Sequence, residues 1–138
     1  MSLGGILSRL EMFDRFCRSV NGVPEYRVEI SMSGSSIEFS TGSLDEVKSR
    51  ISRLHLENAK RFNMYITASC IVSGIVPTAE ISSRFNAPVD GVGRLAIYYN
   101  RKRYDYGVGK LRCMYGIYKF DDRSYDNESC SLSIIDGE

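Results

Sequence analysis

Catalysis near neutral pH needs a nucleophile beside a base, a pair of carboxylates or a cluster of metal ligands, and few residues of this chain stand in such patterns. Its one histidine, His55, comes after Leu54 on the apolar edge of a predicted helix. No Ser or Cys motif lies beside it, so it reads as a partly buried structural histidine. The four cysteines, Cys17, Cys70, Cys113 and Cys130, include no CxxC pair and have no second histidine to join. They read as reduced, buried thiols rather than zinc ligands. Gly107-Val108-Gly109-Lys110 has the glycines and lysine of a phosphate loop, but the earlier glycine is missing and Leu111 stands where Ser or Thr is required. That segment reads as a turn. Asp121, Asp122, Asp126 and Glu128 lack the glycine and closing glutamate of a calcium loop and read as a solvated acidic tail. These patterns point away from an enzyme and indicate no cofactor and no metal.

What remains is charge and aromatic content. With 138 residues, 43% of them apolar, the chain suffices for one domain or two very small ones. The net charge of +1 is the balance of 18 Lys+Arg against 17 Asp+Glu, but it is unevenly spread. Residues 1–77 carry nine basic and eight acidic side chains, residues 78–120 eight and three, and residues 121–138 one and six. The middle segment is therefore basic and the last one acidic. Seven of the nine tyrosines lie between Tyr98 and Tyr125, among the basic residues. That mixture suits stacking on a single-stranded nucleic acid or a protein interface, and equally suits strand residues half buried against a core. No apolar run is long enough to cross a bilayer, and Arg9, Glu11, Asp14 and Arg15 interrupt the N-terminal segment where a secretion signal would be apolar. The expectation is a cytoplasmic protein with no membrane partner.

Periodicity supplies the elements that must hold these residues. Ile6, Leu10, Phe13, Cys17 and Val20 recur at spacings of four and three, predicting an amphipathic helix over 4–20 that Asn21-Gly22 ends. Residues 26–32 and 36–40 alternate apolar with polar across Ser33-Gly34-Ser35, a hairpin signal. Ser43-Leu44-Asp45-Glu46 matches a capping box and starts a helix expected over 44–61. Residues 62–73 fit both a helical face (Phe62, Tyr65, Ile66, Ser69, Val72) and a strand, and the neighbouring segment 78–97 favours the helix. Residues 104–120 read as two strands joined at Gly107–Lys110, and a short apolar strand fits Cys130–Ile135.

Residues 78–97 meet the demands of a helix-turn-helix. Ile81 and Phe85 are the buried apolar pair of a first helix, and Ser82 is the small residue at the crossing. Asn86 tolerates the positive φ of the turn, and Ala87, Val92 and Leu95 lock a second helix. Thr78 suits an N-cap, and Gly91 and Gly93 each weaken the second helix by roughly 1 kcal/mol relative to Ala. The segment resembles the DNA-binding unit of small bacterial winged-helix transcription regulators, with 62–73 as the preceding helix and 104–120 as the wing; the likeness covers about residues 62–120.

Residues 1–61 lie outside the resemblance and read, from their own periodicity, as an added helix–β-hairpin–helix half for dimerisation or regulation, so that the expectation for the whole is an α+β protein. A winged helix-turn-helix half would occupy 62–120 and an acidic tail 121–138. The resemblance implies a transcriptional regulator that binds double-stranded DNA as a homodimer. Arg94 would read a guanine edge and Asp90 a cytosine, Thr78 would offer its backbone N–H to phosphate, and Arg84, Arg101, Lys102, Arg103, Lys110 and Arg112 would grip the backbone. The competing expectation is a non-enzymatic protein-binding accessory or inhibitor module that uses the Tyr/Arg-rich hairpin as its interface.

Overall fold

A computed structural model describes residues 2–135. The first helix, α1 (Leu3–Ser19), begins where the Ser2 hydroxyl accepts a hydrogen bond from Gly5 N, and it buries Ile6, Leu10, Phe13, Phe16 and Cys17. Asn21, at φ +59°, turns the chain into β1 (Val23–Met32), which folds back through Ser33-Gly34 into β2 (Ser35–Thr41). Ser43 then caps α2 (Leu44–Ser52), its hydroxyl accepting from Glu46 N at 3.2 Å. The helix ends well before residue 61, because His55 takes a left-handed conformation ahead of a single 3-10 turn at Leu56–Asn58. His55 is exposed, not part of the core. The remaining elements are β3 (Arg61–Val76), α3 (Thr78–Phe85), β4 (Val89–Asp90), β5 (Leu95–Tyr99), β6 (Lys102–Phe120) and β7 (Arg123–Ile135).

The molecule is thus α+β, but three expected elements are replaced by strands. Residues 62–73 form β3, not a helix: Phe62, Met64, Ile66, Ala68, Cys70 and Val72 all point one way and all are buried. Six inward positions at a period of two bury more apolar surface than the helical stripe, which would have had to include Tyr65 and Ser69. Gly107–Lys110 is not a turn, since β6 runs through it and pairs without interruption with β3 from Asp105↔Val76 to Phe120↔Arg61. The expected recognition helix does not form either. Residues 89–90 pair with β7, and residues 95–99 pair with β6. Asn86 does adopt the left-handed turn conformation (φ +49°, ψ +42°), and Ile81, Phe85 and Ala87 are buried, but Val92 and Leu95 are exposed instead of locking a helix. The turn therefore forms as its residues require, and the chain beyond it is extended because β6 and β7 offer it edges to pair with.

One seven-stranded sheet contains every strand, in the order β2-β1-β3-β6-β7-β4, with β5 beside β6; all pairs are antiparallel except β4 with β7. The helices pack on one face of it. Phe85 of α3 meets Phe13 and Phe16 of α1 edge to face at centroid distances of 6.0 and 5.4 Å, so the apolar residues of the expected helix-turn-helix serve this layer. A single core joins Ile6 and Val47 to Ile66, Leu111 and Ile134, so residues 1–61 and 62–120 share one interior and not two. Residues 123–135 are no free tail: β7 pairs along its whole length with β6, and Arg9 of α1 grips Glu128 through two parallel hydrogen bonds of 2.6 and 2.7 Å. Residues 136–138, the end of the expected tail, lie outside the described residues.

The cysteines are not free thiols. Cys17–Cys70 ties the end of α1 to β3, and Cys113–Cys130 joins directly opposed residues of β6 and β7. Gly22 is shaped to the first of these, since a Cβ there would stand 2.5 Å from Cys70 Sγ and 2.9 Å from Cys17 Sγ. The two bonds close 53 and 17 residues, which in the chain-entropy account corresponds to about 4 and about 3 kcal/mol respectively. Urea titration of the double variant Cys17→Ala/Cys70→Ala should show a larger loss of stability than Cys113→Ala/Cys130→Ala, and Gly22→Val should approach the first. Equal midpoints for all three and the parent would show that the bonds do not form.

Candidate functional site

Since α1, α2 and α3 share one side, the other face of the sheet is bare, and strict alternation along β1, β3, β6 and β7 decides what it presents. Register places these outward residues in rows across the strands. At the end next to the β6–β7 turn, Tyr65 lies beside Gly116 and Asn127, then comes the row Asn63, Tyr118, Tyr125, and then Phe120. Rings of Tyr118 and Phe120 stack at 6.5 Å, Tyr125 tilts against Tyr118 at 6.4 Å, and the Arg61 guanidinium sits 4.1 Å over Phe120. Tyr65, Gly116, Tyr118, Tyr125 and Asn127 line a shallow hollow of about 130 Å³. Gly116 makes it possible: a Cβ there would meet Asn127 Oδ1 at 2.7 Å and the Tyr65 ring at 3.3 Å.

The middle of the face is polar. Its rows are Ser40, Arg27, Thr67, Met114, Ser129 and then Glu25, Ser69, Arg112, Ser131, with Lys110 one row further. Arg27 is engaged by Glu29 at 3.1 Å and by Glu38. Beyond it the face becomes apolar again at Ile71, Ile75, Tyr106, Leu95 and Ile135, every one of them exposed. No outward position of β1 or β3 is among the residues expected from the sequence to make contacts, with Tyr65 and Ser69 expected on a buried helical stripe. The signal is nonetheless there: the odd positions of 61–75 are what an even-numbered core leaves outside.

The residues expected to contact DNA are not gathered on one surface. Thr78 is buried and its hydroxyl donates to the Arg103 carbonyl at 2.9 Å. Arg84 lies on the helical side, paired with Glu80 at 3.2 Å and facing the Phe16 ring. Asp90 is in β4, Arg94 donates its backbone N–H to Tyr106, and Arg101 with Lys102 forms the tip of the β5–β6 hairpin. Arg103 reaches 3.1 Å to the fully buried Asp105. Lys110 and Arg112 stand together on the bare face, apart from Arg84 and Lys102, which line a different hollow with Glu80 and Ser83; among the described residues neither Lys110 nor Arg112 has an ion pair. Asp105 Oδ2 and Arg103 Nε lack hydrogen-bond partners, so this pair is under-satisfied where it is most buried.

Two buried phenols lie under the sheet. Burial pushes the Tyr26 hydroxyl well above its ordinary value of 10, and the hydrogen bond it donates to Asp14 at 2.6 Å pushes the same way. Tyr115 is raised by burial first and by the charge of Glu128 second, and its hydroxyl has no partner. Among the described residues there is no cluster of His, Cys, Asp and Glu that could hold a metal ion, and no helix is long and apolar enough to cross a membrane.

Compared with protein-family models, curated proteins and solved structures, the chain matches none of them. What can be defined is the class of surface: a one-sided sheet face with aromatic and aliphatic side chains at its ends and a charged middle.

Both phenols have raised folded-state values, so their contribution to stability is full below pH 10, where the unfolded phenols are still protonated. It is lost as pH rises further, because the unfolded chain then ionises first. Stability measured by urea titration should therefore fall above pH 10, and Tyr115→Phe should flatten that fall while leaving neutral-pH stability nearly unchanged. Tyr26→Phe should cost about 1 to 3 kcal/mol at pH 7, because Asp14 Oδ2 loses its donor and the carboxylate keeps only Arg18 at Oδ1. A Tyr115→Phe variant as steep in alkali as the parent would contradict the assignment.

Proposed function

We propose that this protein is a non-enzymatic protein-binding module, of the accessory or inhibitor kind, whose working surface is the bare face of the sheet. The observation that carries the reading is the exposure of five large side chains grouped on β3, β6 and β7. Tyr65, Met114, Tyr118, Phe120 and Tyr125 are each between 41% and 60% exposed. Monomeric proteins seldom leave apolar surface contiguous on this scale without a use for it. Aromatic residues, Met and Arg are the types enriched where proteins meet, and a rigid sheet loses little entropy on binding. The Tyr- and Arg-rich segment expected as a hairpin over 104–120 is the single strand β6, and the hairpin on this surface is the one that β6 makes with β7, turned at Asp121-Asp122.

The duplex-DNA reading has less support. It drew on a protruding helix at residues 89–97, where the chain is extended, and on a basic cluster that is divided between the helical side, a hairpin tip and the bare face. The two disulfides further favour work in a non-reducing compartment over the cytoplasm.

A photoreactive amino acid at Tyr118, with a control at Ser49 on the exposed side of α2, tests the reading in the cell of origin. A discrete protein adduct is expected from Tyr118 and not from Ser49. Equal adducts from both positions would overturn it. So would duplex-DNA binding that weakens steeply with salt and disappears in Lys110→Ala/Arg112→Ala.

A further inference from the structure

The bare face carries its charge in columns. Along β3 the outward residues from Asn63 to Ile75 are uncharged, and the one charged outward residue, Arg61 at the start of the strand, is paired with Asp121 at 3.5 Å. On one side of that column β1 and β2 present Glu25, Glu29 and Glu38 with Arg27, three acids against one base. On the other side β6 presents Lys110 and Arg112 with no acid between them. Ser69 is opposite Glu25 on β1 and opposite Arg112 on β6, so the unpaired acid and an unpaired base stand one strand to either side of the same neutral residue.

We propose that the face is closed by a second copy of this chain, the two sheets stacked about a twofold axis that runs along β3. The proposal rests on the protein-binding reading above and names the partner. Rotation about that axis exchanges the two sides of the face, so β1 of each copy comes to lie over β6 of the other. Glu25 then faces the partner copy's Arg112, with Lys110 one row away, and the contact occurs twice because the interface is isologous. The same rotation lays β3 on β3, with the uncharged Tyr65, Thr67 and Ser69 at the centre of the patch and Ile71 at its end. An axis across the strands would instead leave β1 on β1 and β6 on β6, so that the acidic side of one copy would not meet the basic side of the other. Area agrees as well: five strands at ~4.8 Å spacing and the ten residues of β1 at ~3.4 Å give on the order of 800 Å² per copy, the share each partner contributes to a stable interface.

Charge exchange tests this in the intact, disulfide-bonded chain by sedimentation equilibrium at moderate salt. The parent should dimerise in the micromolar range. Glu25→Arg or Arg112→Glu alone should weaken the dimer about tenfold or more by opposing like charges twice, and the double exchange should restore it to within a fewfold of the parent. Because both positions are exposed, circular dichroism should report the parent fold for all three variants. A parent that stays monomeric at hundreds of micromolar, a dimer that neither single exchange weakens, or a double exchange no better than the singles would each overturn the inference. If the chain is monomeric while Tyr118 still cross-links to a different protein in the cell, the second copy is the wrong occupant and the protein-binding reading survives. If Tyr118 cross-links to nothing and no dimer forms, both fail.

Discussion

Burial on one face only of a long sheet governs the rest of this structure. β3 and β6 pair over sixteen consecutive residues, and each sends alternate side chains into the helical layer and the others into solvent. The helical side absorbs the apolar residues of α1, α2 and α3 and closes a continuous core, including Phe13, Phe16 and Phe85 in mutual edge contact. Once that side is filled, no element is left among the described residues to cover the second face. A bare antiparallel face is ordinary when it is polar. Here its two ends are aromatic and aliphatic, and its polar middle separates acid from base.

Two covalent ties and one ion pair brace this arrangement in the middle of its strands. Cys17–Cys70 holds α1 against β3, Cys113–Cys130 locks β6 to β7, and Arg9–Glu128 brings α1 to the far strand. The sheet is thereby held as a stiff platform. Stiffness matters for recognition, because a surface that does not rearrange keeps most of its contact energy as affinity. Gly116 contributes in a different way, by letting the Tyr65 ring lie across β6 and leaving a hollow between three tyrosines.

Local signals in the sequence proved sound where they were self-sufficient. The first helix, the β1–β2 hairpin, the Ser43 cap and the left-handed Asn86 all form, since each depends on a few neighbouring residues. The errors lie where a segment satisfied two periods at once. Phe62 to Val72 fits a helical stripe, but the strand places every even residue inward, and a sixteen-residue partner in β6 settles the competition. That partner was hidden because Gly107 and Gly109 suggested a turn, whereas in the sheet Gly107 sits opposite Gly74 and Gly109 opposite Val72. Without β3 and β6, residues 78–97 could pass for a helix-turn-helix and the bare face could not be seen. The tyrosine and arginine enrichment was visible from composition, but which of those residues share a surface depends on register, which is a long-range property. Disulfide pairing was likewise unreadable, because opposed cysteines on β6 and β7 are neighbours only once the hairpin exists.

The central claim is that the exposed aromatic and aliphatic ends of the bare face are covered by a protein partner. Footprinting by carbene labelling and mass spectrometry, applied to the protein in its own cells and to the purified chain at high dilution, tests it directly. Tyr65, Tyr118 and Tyr125 should be protected in the cell and labelled on dilution, while Tyr98, exposed on the opposite side of the β5–β6 hairpin, should be labelled alike in both. Equal labelling of the three face tyrosines in the two settings would contradict the account.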